Sequence, residues 1–289
     1  MIVMNSLQKV HDQWMQSLKA DNTRVAYEKA FINLCAFAQK SPLQLLKQDI
    51  ERWVDHLTQY GLSGKTTCMF VGAVSSFYNY AKRFGYYIGD NPTKGVKRPL
   101  DKPVEEIYWL NLDEVKRLLS VMDKNTVVGR RDFALFLSYI MLGRRNTEIR
   151  NLRFCDFEMI DGLMHYRWSG KGKINELAIC PPVVSQAIMD YIKISGRFNV
   201  LKKTDYVFIK TQTTNGSEPL SITVVEVLLK QYAAKAGLDV RRIHVHCLRH
   251  TSCMLRLDAG ESIENISKFL GHSSVSITKN NYIHNTEAV

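Results

Sequence analysis

Residues 244–272 read HVHCLRHTSCMLRLDAGESIENISKFLGH. Their apolar positions and breakers predict two helices in succession, over 247–259 and 262–270. Gly260 stops the first, Ser262 caps the second, and Gly271 stands where a left-handed glycine closes a helix. The stretch belongs to a final 46 residues that hold five of the chain's eight histidines: His244, His246, His250, His272 and His284. His246 and His250 have the i, i+4 spacing of a zinc-binding H-E-x-x-H helix, but Cys247, Leu248 and Arg249 lie between them. The carboxylate base is missing, and a guanidinium stands where a metal site needs negative charge. The cluster points to phosphate rather than to zinc.

Upstream, Arg144 and Arg145 follow Gly143 and a nearly all-apolar helix expected over 131–141. Guanidinium forks bind phosphate oxygens bidentately, and two of them could neutralise the charge that develops during phosphoryl transfer. The plainer reading of Arg145 is an ion pair with Glu148, three residues on. No nucleotide site accompanies these arginines. Gly64-Lys65-Thr66 ends like a P-loop, but Gln59 occupies the place of the first glycine, and there is no G-x-G-x-x-G. Upstream of the histidines, LMHYRW and INELAI flank Ser169-Gly170-Lys171-Gly172-Lys173, a hairpin pattern with a glycine-rich turn.

Further helices are expected over 112–122 and 224–236. The first hundred residues read as helical. One helix opens at Thr23, an apolar stripe runs from Leu43 to Leu57 and closes at Gly61, and a third helix covers Thr66 to Arg83. Residues 91–103, NPTKGVKRPLDKP, have three prolines and four basic residues, the pattern of an extended basic linker.

The chain has 289 residues, enough for two domains, and 39 Lys and Arg against 28 Asp and Glu, a formal charge of +11. Residues 1–103 carry 14 basic and 8 acidic groups and residues 104–289 carry 25 and 20, so both halves suit a polyanionic partner. Hydrophobic content of 45% with 23% charged residues excludes wholesale disorder. The longest apolar run, Phe133 to Leu142, is too short to span a membrane, and the first ten residues lack a signal-peptide pattern. A soluble cytoplasmic protein with reduced, mostly buried cysteines is expected, since none of the six forms a C-x-x-C pair.

The order of the boxes decides among the phosphate chemistries. Gly143-x-Arg145-x-Thr147-Glu148-Ile149 is followed by Gly170-Lys171-Gly172, His246-x-Leu248-Arg249-His250, Leu270-Gly271-His272 and Tyr282-x-His284. In order and separation the set resembles the tyrosine recombinase family, the phage-type integrases and Xer-like site-specific recombinases. The resemblance spans essentially the whole chain, including Thr23…Tyr27 and Asp90-Asn91-Pro92 in the N-terminal half. It implies a mostly α, two-domain clamp. A helical SAM-like core-binding domain would occupy 1–91, a basic linker 92–107, and an α+β catalytic domain with a small β-sheet 108–289.

The resemblance also implies roles. Arg145 and Arg249 would be the catalytic arginines, Lys171 the hairpin acid with Lys173 as its alternative, His246 the base, His272 a phosphate ligand and Tyr282 the nucleophile. Glu148 would orient Arg145, and His250 would support the site from behind. The implied activity is site-specific DNA strand exchange through a 3′-phosphotyrosyl intermediate and a Holliday junction, with no metal, ATP or other cofactor. The implied partner is double-stranded DNA with inverted half-sites, bound by a dimer per site and a homotetramer overall. Monomers free in solution, accessory proteins and a nucleoid-associated, non-membrane location complete the expectation. His272 and Tyr282 are ten positions apart, a spacing that tilts toward integration or excision of a mobile element. Arg144 departs from the pattern, which usually has a hydrophobic residue there. Only seven residues follow Tyr282, too few for the C-terminal helix that family members pass to a neighbour. The rivals are a type IB topoisomerase, which shares the chemistry, and a non-catalytic DNA-binding regulator, which the complete residue set disfavours.

Overall fold

The computed structural model describes residues 2–99, 107–169, 175–210, 218–271, 274–276 and 278. The chain divides into two compact units, residues 1–105 and 106–289.

Trp14, Trp53, Phe77 and Tyr78 are almost completely buried, and the helices of the first unit are arranged around them. These are α1 (Ile2–Ser17), α2 (Asp21–Ala38), α3 (Lys47–Gln59) and α4 (Gly64–Arg83). On α4 the apolar positions Phe70, Val74, Phe77, Tyr78 and Ala81 recur at three and four residues and form one buried stripe. Ser63 caps this helix by accepting from the Thr66 N–H at 3.1 Å. Thr23 does not open α2, as the sequence suggested. The helix begins two residues earlier, with Asp21 in its first turn, where a carboxylate meets the positive end of the helix dipole. The stripe from Leu43 also divides. Pro42–Gln44 forms a 3-10 turn, and α3 starts only at Lys47, with the Asp49 carboxylate accepting from the Leu46 N–H at 2.8 Å.

The stretch expected to be an extended linker starts folded. Residues 92–95 form a turn, and Pro92, Thr93 and Val96 are buried. Asn91 organises it, donating to Ser75 O and Asn79 Oδ1 of α4 while its own Oδ1 accepts from the Thr93 N–H and hydroxyl.

In the second unit α5 (Leu112–Ser120) opens with a capping box between Asn111 and Glu114. The apolar α6 (Val127–Leu142) runs through the core and packs on α8 (Pro182–Ile194) and α10 (Val245–Asp258). Even its charged residues are satisfied internally. Arg131 pairs with Asp132 at 2.7 Å and donates to Ile209 O, and the second Asp132 oxygen accepts from Tyr232 Oη at 2.8 Å. A short α7 (Asn146–Arg150) follows, then the sheet.

The hairpin expected from LMHYRW and INELAI forms as β2 (Leu163–Ser169) and β3 (Asn175–Ile179), with Tyr166 opposite Ala178. A third strand, β1 (Phe157–Ile160), pairs antiparallel with β2 to give the order β1-β2-β3. Asp161 and Gly162 join them, both at positive φ, which is the signature of a two-residue hairpin turn. Tyr166 and Trp168 point from β2 into the core. Among the described residues, helices α9 (Ile222–Lys235), α10 and α11 (Ile263–Leu270) follow. Gly260 and Gly271 take the left-handed positions expected of them, and Ser262 accepts from the Asn265 N–H. Three of the cysteines are buried, two half-buried and Cys155 exposed, all of them free thiols.

Candidate active site

The site is built where α6 ends. Gly143 closes that helix at φ +59°, and the next two residues place their guanidiniums in different surroundings, one buried and one half-exposed. Arg144 turns inward and is 3% exposed. Its Nε donates to Tyr166 Oη at 2.9 Å, a second N–H donates to Phe269 O, and its guanidinium carbon lies 3.5 Å from the Trp168 ring centroid. Arg145 turns outward to a half-exposed position at the head of α7. Its backbone N–H donates to Glu148 Oε2 at 2.7 Å and its guanidinium to Oε1 at 3.1 Å. The ion pair with Glu148 therefore exists, and it holds the accessible arginine of the pair in place.

The N-terminus of α10 supplies the other groups. His244 caps it, with Nδ1 accepting from the Cys247 N–H at 3.1 Å, and Glu226 of α9 accepts from the Val245 N–H at 3.1 Å. His246 projects from the first turn and is exposed. Arg249, one turn further on, is buried and committed to two carbonyls, Gly143 O at 2.8 Å and Leu270 O at 2.7 Å. His250 is buried behind His246, the two rings meeting edge-on with centroids 4.7 Å apart.

The pKa of His246 lies below the ordinary 6.5. Partial desolvation is the largest cause, followed by the electrostatic influence of Arg249, His244 and Arg145. Both arginines thus act on one imidazole, whose lowered pKa leaves it mostly neutral at pH 7 and able to accept a proton. Arg145 offers an anion an accessible guanidinium near this base, and Arg249 adds its charge from within the fold. Among the described residues no group of three His, Cys, Asp or Glu side chains is arranged to hold a metal ion.

Two glycines allow this crowding. A Cβ at Gly143 would lie 2.8 Å from the Phe269 ring and from Ser252 Oγ, and one at Gly271 would lie 2.4 Å from the Trp168 ring. Of the residues singled out in the sequence, Arg145, Glu148, His246, Arg249 and His250 meet around the end of α6. Lys171, Lys173, His272, Tyr282 and His284 lie outside the described residues. Sequence reasoning passed over His244, Glu226, Trp168 and Phe269. For His244 a signal existed, a polar residue three positions before Cys247 at the start of an apolar run. The others are brought in by tertiary contact.

The family model described as Phage integrase family matches residues 108–288, and that described as Phage integrase, N-terminal SAM-like domain, matches residues 12–85. The chain belongs to the phage integrase family. This tyrosine recombinase is 29% identical over 236 residues to Tyrosine recombinase XerD of Staphylococcus aureus, a match covering 81% of this chain and 76% of that protein. Its fold is similar to that of the XerH site-specific recombinase solved bound to difH substrate, at 14% identity and a TM-score of 0.74 over 99% of this chain and 95% of the other. The Tn1549 transposon integrase solved with transposon right end DNA gives 17% identity and a TM-score of 0.70 over 98% and 97%. The recombinase is thus an enzyme with the architecture its motifs implied, a SAM-like helical unit and a mostly helical catalytic unit carrying a small sheet. Among the described residues no helix is long and apolar enough to cross a membrane.

Proposed function

We propose that this recombinase cuts and rejoins duplex DNA at a specific site through a covalent link to Tyr282. The supporting observation is that Arg145, held by Glu148, and Arg249, bonded to Gly143 O, sit at the same end of α6, with His246 one turn before Arg249 on α10. A phenol with an ordinary pKa near 10 is a poor nucleophile unless its proton leaves during attack. His246 takes that proton as Tyr282 Oη bonds to a backbone phosphorus. The bond from phosphorus to the deoxyribose O5′ breaks, and Lys171 protonates the leaving oxygen. A 3′-phosphotyrosyl enzyme and a free 5′ hydroxyl result. Arg145, Arg249 and His272 hold the non-bridging oxygens, Glu148 orients Arg145, and His250 backs His246. One phosphoester replaces another, so no step consumes ATP or calls on a metal.

In this proposal residues 1–91 form the core-binding domain, 92–107 the basic linker and 108–289 the catalytic domain. Two protomers hold the inverted half-sites of one duplex, and four carry the strands through a Holliday junction. Monomers exist free of DNA, and accessory proteins set direction. Integration or excision of a mobile element is the favoured task, and the protein works in the cytoplasm on the nucleoid.

The test is a trapping assay. Duplexes selected from a random pool by the full chain are nicked next to the bound site, so that cleavage releases a short strand and cannot reverse. A covalent protein–DNA band is expected to form in EDTA and to vanish in Tyr282→Phe. A band that survives Tyr282→Phe would assign the nucleophile elsewhere, and a magnesium requirement would overturn the metal-free chemistry.

A further inference from the structure

Arg144 is a buried charge that the proposed chemistry leaves unused. Among the described residues its partners are a phenol, a backbone carbonyl and three aromatic rings rather than a carboxylate. Nε donates to Tyr166 Oη, a terminal N–H donates to Phe269 O, and the guanidinium stacks on Trp168 at 3.5 Å with the Phe269 and Tyr166 rings at 5.2 and 5.6 Å. A guanidinium taken out of water needs such company, because hydrogen bonds and ring faces must replace the hydration it gives up.

Three separate segments meet on this one side chain. The first is the corner that carries Arg145, its immediate neighbour. The second is the end of β2, reached through Tyr166 and Trp168. The third is the last turn of α11, reached through Phe269 O. Trp168 extends the contact, for its ring lies so close to Gly271 that a Cβ there would approach to 2.4 Å. The Trp168 indole therefore contacts both the Arg144 guanidinium and the Gly271 backbone.

Arg249 makes a neighbouring tie, bonding Gly143 O and Leu270 O. Phe269 O and Leu270 O are carbonyls at the C-terminal end of α11, where the helix has no partners of its own to give. A single tie would let the end of α11 swing about it. Two ties at successive carbonyls, from Arg144 and Arg249, remove that freedom.

We propose that Arg144 is a positioning residue for strand cleavage, acting through Trp168 and the last turn of α11 to fix both segments against the corner that carries Arg145. The inference rests on the proposed roles of Arg145, Lys171 and His272, since the two held segments lead in sequence into Lys171 and His272. The geometry demands a planar fork as well as a charge. An ammonium cannot serve Tyr166 Oη and Phe269 O at once while lying flat on an indole.

The experiment compares full-length Arg144→Met, which keeps volume, and Arg144→Lys, which keeps charge, on the same selected, nicked duplexes. Affinity and the single-turnover rate of covalent-complex formation at saturating protein are measured well below each variant's melting temperature. Both variants are expected to bind within about threefold of the parent and to cleave about 30-fold more slowly, since small misplacements act on rate rather than on affinity. A wild-type rate in folded Arg144→Lys would overturn the inference, because charge alone would then suffice. So would a rate loss matched by an equal loss of affinity. Should Arg144→Met fail to fold, Arg144→Lys and Trp168→Phe decide the matter, the latter expected to cleave about tenfold more slowly at unchanged affinity. Arg145→Ala separates the two levels of argument. If it cleaves normally, the site assignment falls. If it is inactive while the Arg144 variants cleave like the parent, only the positioning role falls.

Discussion

At His246 partial desolvation, reinforced by nearby positive charge, decides what the ring does. Its pKa lies below 6.5, through partial desolvation first and then Arg249, His244 and Arg145. A base of this kind is ready at pH 7 and fails only when it is protonated. The cleavage rate is therefore expected to hold level as pH falls past 6.5 and to drop below it, read from single-turnover rates across a pH series. A limb at or above 6.5 would give the proton to another group. The sign for stability is the same. The unfolded chain takes up this proton at a higher pH than the folded one, so the neutral ring's contribution is complete above 6.5 and is lost as pH falls toward the lowered value. At this scale the sequence was informative about type and poor about environment. The box Gly143-x-Arg145-x-Thr147-Glu148-Ile149 named Arg145, but only packing explains Arg144, whose partners are 22 and 125 residues away.

Among the elements, α11 was legible almost to the residue, because its limits are local chemistry: the Ser262 cap and the left-handed Gly271. Strand β1 was not, although Asp161-Gly162 between apolar residues is a strong hairpin signal. What holds α11 is not local. Trp168 presses on Gly271, so Gly271→Ala adds a steric clash to the cost of a positive φ. It is expected to cost about 2–4 kcal/mol in urea unfolding. Gly260→Ala is the matched control, with φ at +83° and nothing within 4 Å of its Cβ. It carries backbone strain alone and is expected to cost about 1–2 kcal/mol. Equal losses in the two variants would mean that Trp168 yields and that the contact constrains nothing.

For the molecule as a whole, charge is the dominant long-range property. The excess of 39 basic over 28 acidic side chains is shared between two units, each with its own buried core. A protein that meets DNA from both units should neutralise many phosphates, so its affinity is expected to fall steeply with salt. A log–log slope of about −5 to −9 corresponds to six to ten phosphate contacts. The measurement is the Kd of the selected duplex across a potassium chloride series. A slope shallower than about −2 would show that few phosphates are engaged and would remove the charge argument for DNA.

The order and spacing of Arg145, Lys171, His246, Arg249, His272 and Tyr282, together with the helical periodicity, were enough to reach the family. Both are properties of the chain read in one dimension: residue type fixes chemistry, and period fixes which face is buried. Tertiary structure alone decided that Arg144 is buried and Arg145 half-exposed, that Asn91 ties the 92–95 turn to α4, and that Arg249 bonds Gly143 O and Leu270 O. These outcomes depend on which distant carbonyl, ring or carboxylate the fold brings within a few ångströms. A buried guanidinium is stable only where such partners converge, and no local pattern in the sequence records that convergence.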